Sequence, residues 1–279
     1  MSVKIVHHRV VANGIMQHYV EAGSGHPVIL LHGFPETWYA WRHQIPVLGE
    51  RYRLIVPDLR GYGATEKAAA GYDKRTMAND IRALMHALDI RKAAIIGHDR
   101  GARVGTRFVK DHPDATARFA ALDNIPTRFI FENMNAGVAQ AAWFFLFQGV
   151  RDLPEALIQG REELWLRFIL TGWCYNPEAL SDADIAIYAR AYAQPGGLRG
   201  AFEDYRAWRD DLAQDQVDKD NKISCPTLAL WGNDFEGAKM IDMAALWRDM
   251  ADDLSTAPIA RSGHLPHEEQ PDAVNDALL

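Results

Sequence analysis

Six apolar runs, each closed off by turn residues, recur along the 279-residue chain and limit its fold more than any other feature. They are PVILLHG (27–33), YRLIVPD (52–58), KAAIIGHD (92–99), ARFAALD (117–123), PTLALWG (226–232) and STAPIARSGH (255–264). Near-continuous runs of this length suit strands covered on both faces, as in a parallel sheet. Helical patterns lie between them; the clearest is 76–90, where Met77, Ile81, Leu84, Met85 and Leu88 share one helix face. The alternation predicts an α/β fold, with a mostly parallel sheet and helices on both of its faces. It stops over 126–222, which is rich in Trp, Phe and helical pattern. That stretch is expected to form a helical lid inserted into a core domain made of 1–125 and 223–279, with the polar VDKDNKI (217–223) as the return linker.

With 48% hydrophobic and 24% charged residues, the chain can fill a sizeable core. Its formal net charge of −7 argues against a general nucleic-acid or anionic-membrane surface. Two cysteines, Cys174 and Cys225, are too few and too far apart for a metal pattern or a disulfide framework, so they read as reduced thiols. MSVKIVHHRV lacks a basic stretch followed by an apolar one, and no run approaches the roughly 20 apolar residues of a membrane span. The expected setting is the cytoplasm, with no membrane or nucleic-acid partner.

Three of the runs end on aspartate, at Asp58, Asp99 and Asp123. Gly97-His98-Asp99-Arg100-Gly101 follows an expected strand and precedes the helical pattern ARVGTRFVKDH. Flanking glycines permit a sharp strand-to-helix turn in close contact with its neighbours. The helix N-terminus, with its unpaired N–H groups, favours an ionised carboxylate at Asp99. Simple helix capping is the alternative use of that aspartate.

The pentapeptide resembles the G-x-nucleophile-x-G elbow of α/β-hydrolases, with aspartate in place of serine. LLHGFPETWYAW (30–41) is similar to that family's oxyanion loop, DLRGYGAT (58–65) is also family-like, and SGHLPHEEQP (262–271) resembles its catalytic-histidine loop. The resemblance implies the α/β-hydrolase fold and an enzyme with nucleophile Asp99 and base His264. It also implies oxyanion N–H groups from Phe34 and Arg100, and neither cofactor nor metal. Aspartate at the elbow marks dehalogenases and epoxide hydrolases rather than serine esterases, because a carboxylate displaces a leaving group from carbon to form an alkyl ester.

HDRGARV (98–104) resembles the haloacetate (fluoroacetate) dehalogenases, whose matching arginines, here Arg100 and Arg103, grip the substrate carboxylate. Counter-ion duty for Arg100 and a solvated helix face for Arg103 are the alternatives. The orienting acid is Asp123 if the dehalogenase pattern holds and Asp234 if the epoxide-hydrolase pattern holds; Asp123 is preferred. By resemblance, Trp143 and Tyr205 would cradle the leaving halide, while Phe144, Phe145 and Phe147 read as lid packing. The family's third donor is replaced by Ala142, so chloride or bromide is expected over fluoride. The leading expectation is a hydrolytic dehalogenase of short 2-haloacids, acting through an aspartyl ester on a small anionic organohalide and water, with a homodimer as the expected assembly. An epoxide hydrolase with the same machinery and a small-molecule-binding homologue without turnover are the alternatives.

Overall fold

The computed structural model describes residues 3–279. Eight strands form one sheet: β1 (Ile5–Ala12), β2 (Ile15–Gly23), β3 (His26–Leu31), β4 (Tyr52–Pro57), β5 (Ala93–His98), β6 (Thr116–Leu122), β7 (Thr227–Gly232) and β8 (Leu254–Ile259). Their order is β1-β2-β4-β3-β5-β6-β7-β8. The pairs β1–β2 and β2–β4 are antiparallel and the others parallel. The six apolar runs correspond to β3 through β8. The hairpin β1–β2 was not anticipated, although Asn13-Gly14 between two alternating stretches is a hairpin signal. Both residues take positive φ, 49° and 76°. Exposure alternates along β1, as expected for an edge strand with one wet face.

The inner strands carry apolar side chains on both faces. Ile29, Leu31, Ile55 and Ile95 join one buried cluster, whereas their neighbours Val28, Leu30, Leu54, Val56 and Ile96 join another on the opposite face. This period-two split is why the runs read as continuous rather than alternating. Helix α1 (Ile45–Leu48) precedes β4, α2 (Lys74–Ala87) precedes β5, and α3 (Asp99–Asp111) follows it. Only helices and loops occur between β6 and β7: α4 (Thr127–Glu132), α5 (Ala136–Ala141), α6 (Trp143–Gly149), α7 (Leu153–Ile158), α8 (Glu162–Trp173), α9 (Asp182–Tyr192), α10 (Gly197–Arg206) and α11 (Trp208–Val217). The chain then closes with α12 (Glu236–Lys239), α13 (Met243–Met250), α14 (Pro266–Glu269) and α15 (Pro271–Leu278). Among the described residues, no helix is long and apolar enough to cross a membrane.

From β3 the chain crosses to β4 on one side, and β5 then pairs with β3 on the other. The carboxyl ends of β3 and β5 therefore flank a topological switch point, where open α/β sheets leave a crevice. Phe34 and Asp99 stand just beyond these two strand ends.

Candidate active site

Asp99 holds the chain in the left-handed region, with φ of 47°, between β5 and α3. That conformation is sparsely populated for a residue with a side chain and persists only where the surroundings enforce it. They do so here by close approach. A Cβ on Gly101 would lie 2.3 Å from the Leu31 and His32 carbonyls, and one on Gly97 would lie 2.6 Å from the Gly101 carbonyl. The helix cap position belongs to His98, so Asp99 presents its carboxylate to the crevice instead of capping. The Phe34 amide donates to Asp99 Oδ1 at 3.0 Å.

His264 lies on the other side of that carboxylate. Its Nε2 is 3.6 Å from Asp99 Oδ2, and its Nδ1 donates to Asp123 Oδ1 at 3.0 Å. Asp123 follows β6 with φ of 44°, and its second oxygen accepts the Gly232 amide at 2.8 Å. Asp234 serves a different purpose: it accepts the Arg261 amide and donates its own to the Ser262 carbonyl, bracing the loop that leads to His264. The imidazole is packed between Trp173 and Phe235. Asp99, His264 and Asp123 are thus brought together as nucleophile, base and orienting acid would be.

Their charges are coupled. Burial pushes the Asp99 carboxyl upward, but the His264 hydrogen bond and charge, and then Arg103, hold it well below the usual carboxylate range. Burial pushes the His264 imidazole down, and Asp123 followed by Asp99 more than offset this, raising it to about 10. The resting pair is therefore a carboxylate facing an imidazolium. Removing the Asp99 charge would take away one of the two charges that hold the His264 proton and so lower the imidazole's pKa.

A cavity of about 640 Å³ opens above this group. Asp99, Arg103, Asp123 and His264 lie at its polar end, and Ile125, Phe129, Val138, Phe144, Trp173 and Phe235 supply much of the remaining wall. Arg103 is on the wall, with Nη1 donating to Thr127 Oγ1 at 3.1 Å. Arg100 is not. Its side chain is wholly buried, with Nε donating to Asp204 Oδ2 at 3.0 Å and Nη2 to the Asp204 carbonyl at 2.6 Å. One residue beyond Asp99 is about 100° round the helix, whereas Arg103, four beyond, returns to within about 40°. Helical geometry therefore separates two arginines that the sequence reading had paired on the substrate carboxylate.

Of the expected halide pair, Trp143 lies on the cavity wall, 39% exposed and with its ring against Trp165 and Phe168, while Tyr205 is 1% exposed and off that wall. The Tyr205 ring meets Phe34, Phe144 and Phe145 edge to face. Phe144, expected to be mere packing, is the α6 residue beside Tyr205 and on the cavity wall. Adjacent aromatics on one short helix gave no signal as to which would face inward. Burial, then the Asp99 charge, pushes the Tyr205 hydroxyl well above the ordinary tyrosine range, so it stays protonated and able to donate.

Behind the elbow, His98 is the buried, hydrogen-bonded core histidine that its place before Asp99 suggests, but its partners Glu36 and His267 gave no signal in the sequence. Glu36 Oε2 accepts from the Gly33 amide and His98 Nδ1, each at 2.8 Å, and Oε1 accepts from His267 Nε2 at 3.0 Å. His98 Nε2 donates to the His264 carbonyl at 2.7 Å. Donation from both nitrogens gives His98 a positive charge opposite Glu36, and this pairing raises its pKa against the pull of burial. Glu36, His98 and His267 carry ligating atoms in mutual reach of one metal ion, yet those atoms already satisfy one another. The carboxylate ties the oxyanion loop, the elbow and the histidine loop together.

Comparison with known proteins agrees with this architecture. A family model described as alpha/beta hydrolase fold matches residues 26–271. A soluble epoxide hydrolase of Corynebacterium sp. (strain C12) is 38% identical over 283 residues, covering 100% of this chain and 98% of the relative. A fluoroacetate dehalogenase of Burkholderia sp. is 33% identical over 266 residues, covering 91% and 86% respectively. The solved structure of the epoxide hydrolase CorEH without ligand superposes with a TM-score of 0.93 at 36% identity, covering 99% of this chain and 98% of that one.

Proposed function

The chain belongs to the alpha/beta hydrolase family, and on that footing we propose that it opens neutral epoxides through an aspartyl-ester intermediate. One observation carries the choice of substrate: a cavity of about 640 Å³, whose wall mixes apolar side chains with polar ones such as Asn133, Gln140 and Glu236, offers far more room than a two-carbon acid needs. Cavities of this size house ligands with a substantial apolar body. The 38% identity to an epoxide hydrolase over the whole chain supports the same reading.

In this mechanism Asp99 Oδ2, the oxygen not held by Phe34, attacks a ring carbon while the carbon–oxygen bond breaks. The Tyr205 hydroxyl donates to the departing oxygen. The imidazolium proton passes through solvent to the tyrosinate, which restores Tyr205 and leaves His264 neutral. Water deprotonated by His264 then attacks the ester carbonyl carbon, and the proton so gained goes to the departing diol oxygen. The oxyanion forms on Oδ1, where the Phe34 amide receives it and the Arg100 amide is assigned as the second donor. Collapse releases the diol with the original Oδ2 and leaves a water oxygen in Asp99.

A second reading, hydrolysis of 2-haloacids, is favoured by Asp123 holding the imidazole, the acid position of the dehalogenase resemblance, and by Arg103, a cation on the cavity wall whose charge reaches Asp99. In that reading Arg103 holds the substrate carboxylate, and Ala142 favours chloride or bromide over fluoride. One panel separates the two: diol formed from a simple aryl epoxide beside halide released from chloro-, bromo- and fluoroacetate. Diol without halide supports the first reading, and halide without diol replaces it with the second. A single turnover in heavy-oxygen water should label the Asp99 peptide. Label found only in product would refute the ester route for both.

A further inference from the structure

Asp123 has a neighbour that the reaction leaves unused. Asn124 is 2% exposed, yet neither atom of its side-chain amide has a protein partner. Three more orphaned buried atoms, Arg103 Nε, Thr106 Oγ1 and Arg107 Nε, belong to residues around the same small void, as does Asp211 Oδ2, which makes no hydrogen bond and has the Lys74 ammonium 3.4 Å away. It measures about 20 Å³ and lies where α2, α3, α11 and the segment after β6 meet.

Buried polar groups without partners are uncommon, and each costs the desolvation of that group. Several around one void therefore point to an occupant. A water molecule needs roughly 10–15 Å³ of such space and two to four polar partners. The inventory fits one: Arg103 Nε and Arg107 Nε can only donate, Asp211 Oδ2 can only accept, and Asn124 and Thr106 can do either. A cation would face the Lys74 ammonium, 3.4 Å from Asp211 Oδ2, as well as Arg103.

We propose that an ordered water fills this void, bridges Asn124, Thr106 and Asp211 to Arg103 Nε, and fixes the Arg103 guanidinium at the active-site cavity. Asn124 is then a positioning residue. The segment after β6 serves both sides of the site: Asp123 orients the imidazole, while Asn124 through water and Thr127 directly hold the arginine. The kinetic consequence rests on the ester chemistry proposed above; the water site does not.

A high-resolution crystal structure should show one spherical peak within hydrogen-bond distance of Asn124, Asp211 and Arg103 Nε. A void that is empty, or closed by side chains, overturns the site whether or not the protein turns over any substrate. Asn124→Leu should remove the peak, and the nearly isosteric Thr106→Val, a gentler change to the fold, should weaken it. On haloacetates, whose carboxylate Arg103 would hold, each should lower kcat/KM, Asn124→Leu by roughly tenfold, with a smaller loss on neutral epoxides. Neither should cause further loss when combined with Arg103→Ala. Losses that add fully to that of Arg103→Ala would show that these residues serve the fold and not Arg103.

Discussion

At the floor of the cavity, Asp99, Asp123 and His264 stand just beyond the ends of β5, β6 and β8, and two of them are held at positive φ by their surroundings. Across its roof, α5 and α6 are helices of six and seven residues, and Trp143, Leu146 and Val150 are 39, 45 and 46% exposed. The floor is over-determined: each reacting group is bound by its neighbours, and Glu36 locks the loops that carry them. The roof has fewer directional restraints, Asn135 capping α5 and Arg206 donating to the Val150 carbonyl, and rests mainly on apolar contact, which is non-directional and tolerates exchange of one aromatic for another. Chemistry is set by the part with many directional restraints, and choice of substrate by the part with few.

Substitutions at the floor should therefore be far more costly than those at the roof. Asp99→Asn should lower turnover by at least roughly 10⁴-fold, by removing the nucleophile while keeping its shape. It should also lower the His264 pKa from about 10, since one of its two carboxylate partners becomes neutral. A raised folded-state pKa gives stability that is complete below the ordinary histidine value of about 6.5 and lost as pH rises through the folded one. Unfolding measured from pH 6.5 to 10 should accordingly show a shallower loss in the variant. An unchanged His264 titration by NMR would mean that Asp99 and His264 are not coupled as their geometry indicates.

Asp123→Asn should cost on the order of 10³- to 10⁴-fold by disordering the imidazole and its tautomer. Asp234→Asn, which alters only a loop brace, should leave the His264 titration in place. Equal losses from the two would erase the distinction between the two acids. Tyr205→Phe should lower epoxide turnover by roughly 100-fold, through loss of a donor to developing charge, with little effect on stability because the ring contacts remain. At the roof, Trp143→Phe should change stability and epoxide kcat/KM by no more than about 0.5 kcal/mol. A large loss confined to haloacetates would restore Trp143 to the halide role and sharpen the second reading.

Some of this was legible in the chain because it is local. The elbow spacing, the apolar runs and the Gly-His of the final loop each depend on a few consecutive residues, and they were sufficient to indicate a parallel sheet with Asp99 and His264 at its crevice. The choice between Asp123 and Asp234 was not local. Both follow strands, and only the packed structure aims one at Nδ1 and spends the other on the Arg261 amide.

What the sequence by itself determined was therefore the architecture and which candidate groups would meet at the crevice, since strand period, glycine-flanked turns and residue chemistry are properties of short segments. Tertiary structure alone decided that Arg103 reaches the cavity while Arg100 is held by Asp204, and that Phe144 rather than Trp143 meets Tyr205. Each of those outcomes turns on about 100° of helix rotation, the step between consecutive residues. The contacts that settle such a rotation come from segments distant in the chain, so no reading of the helix alone contains them.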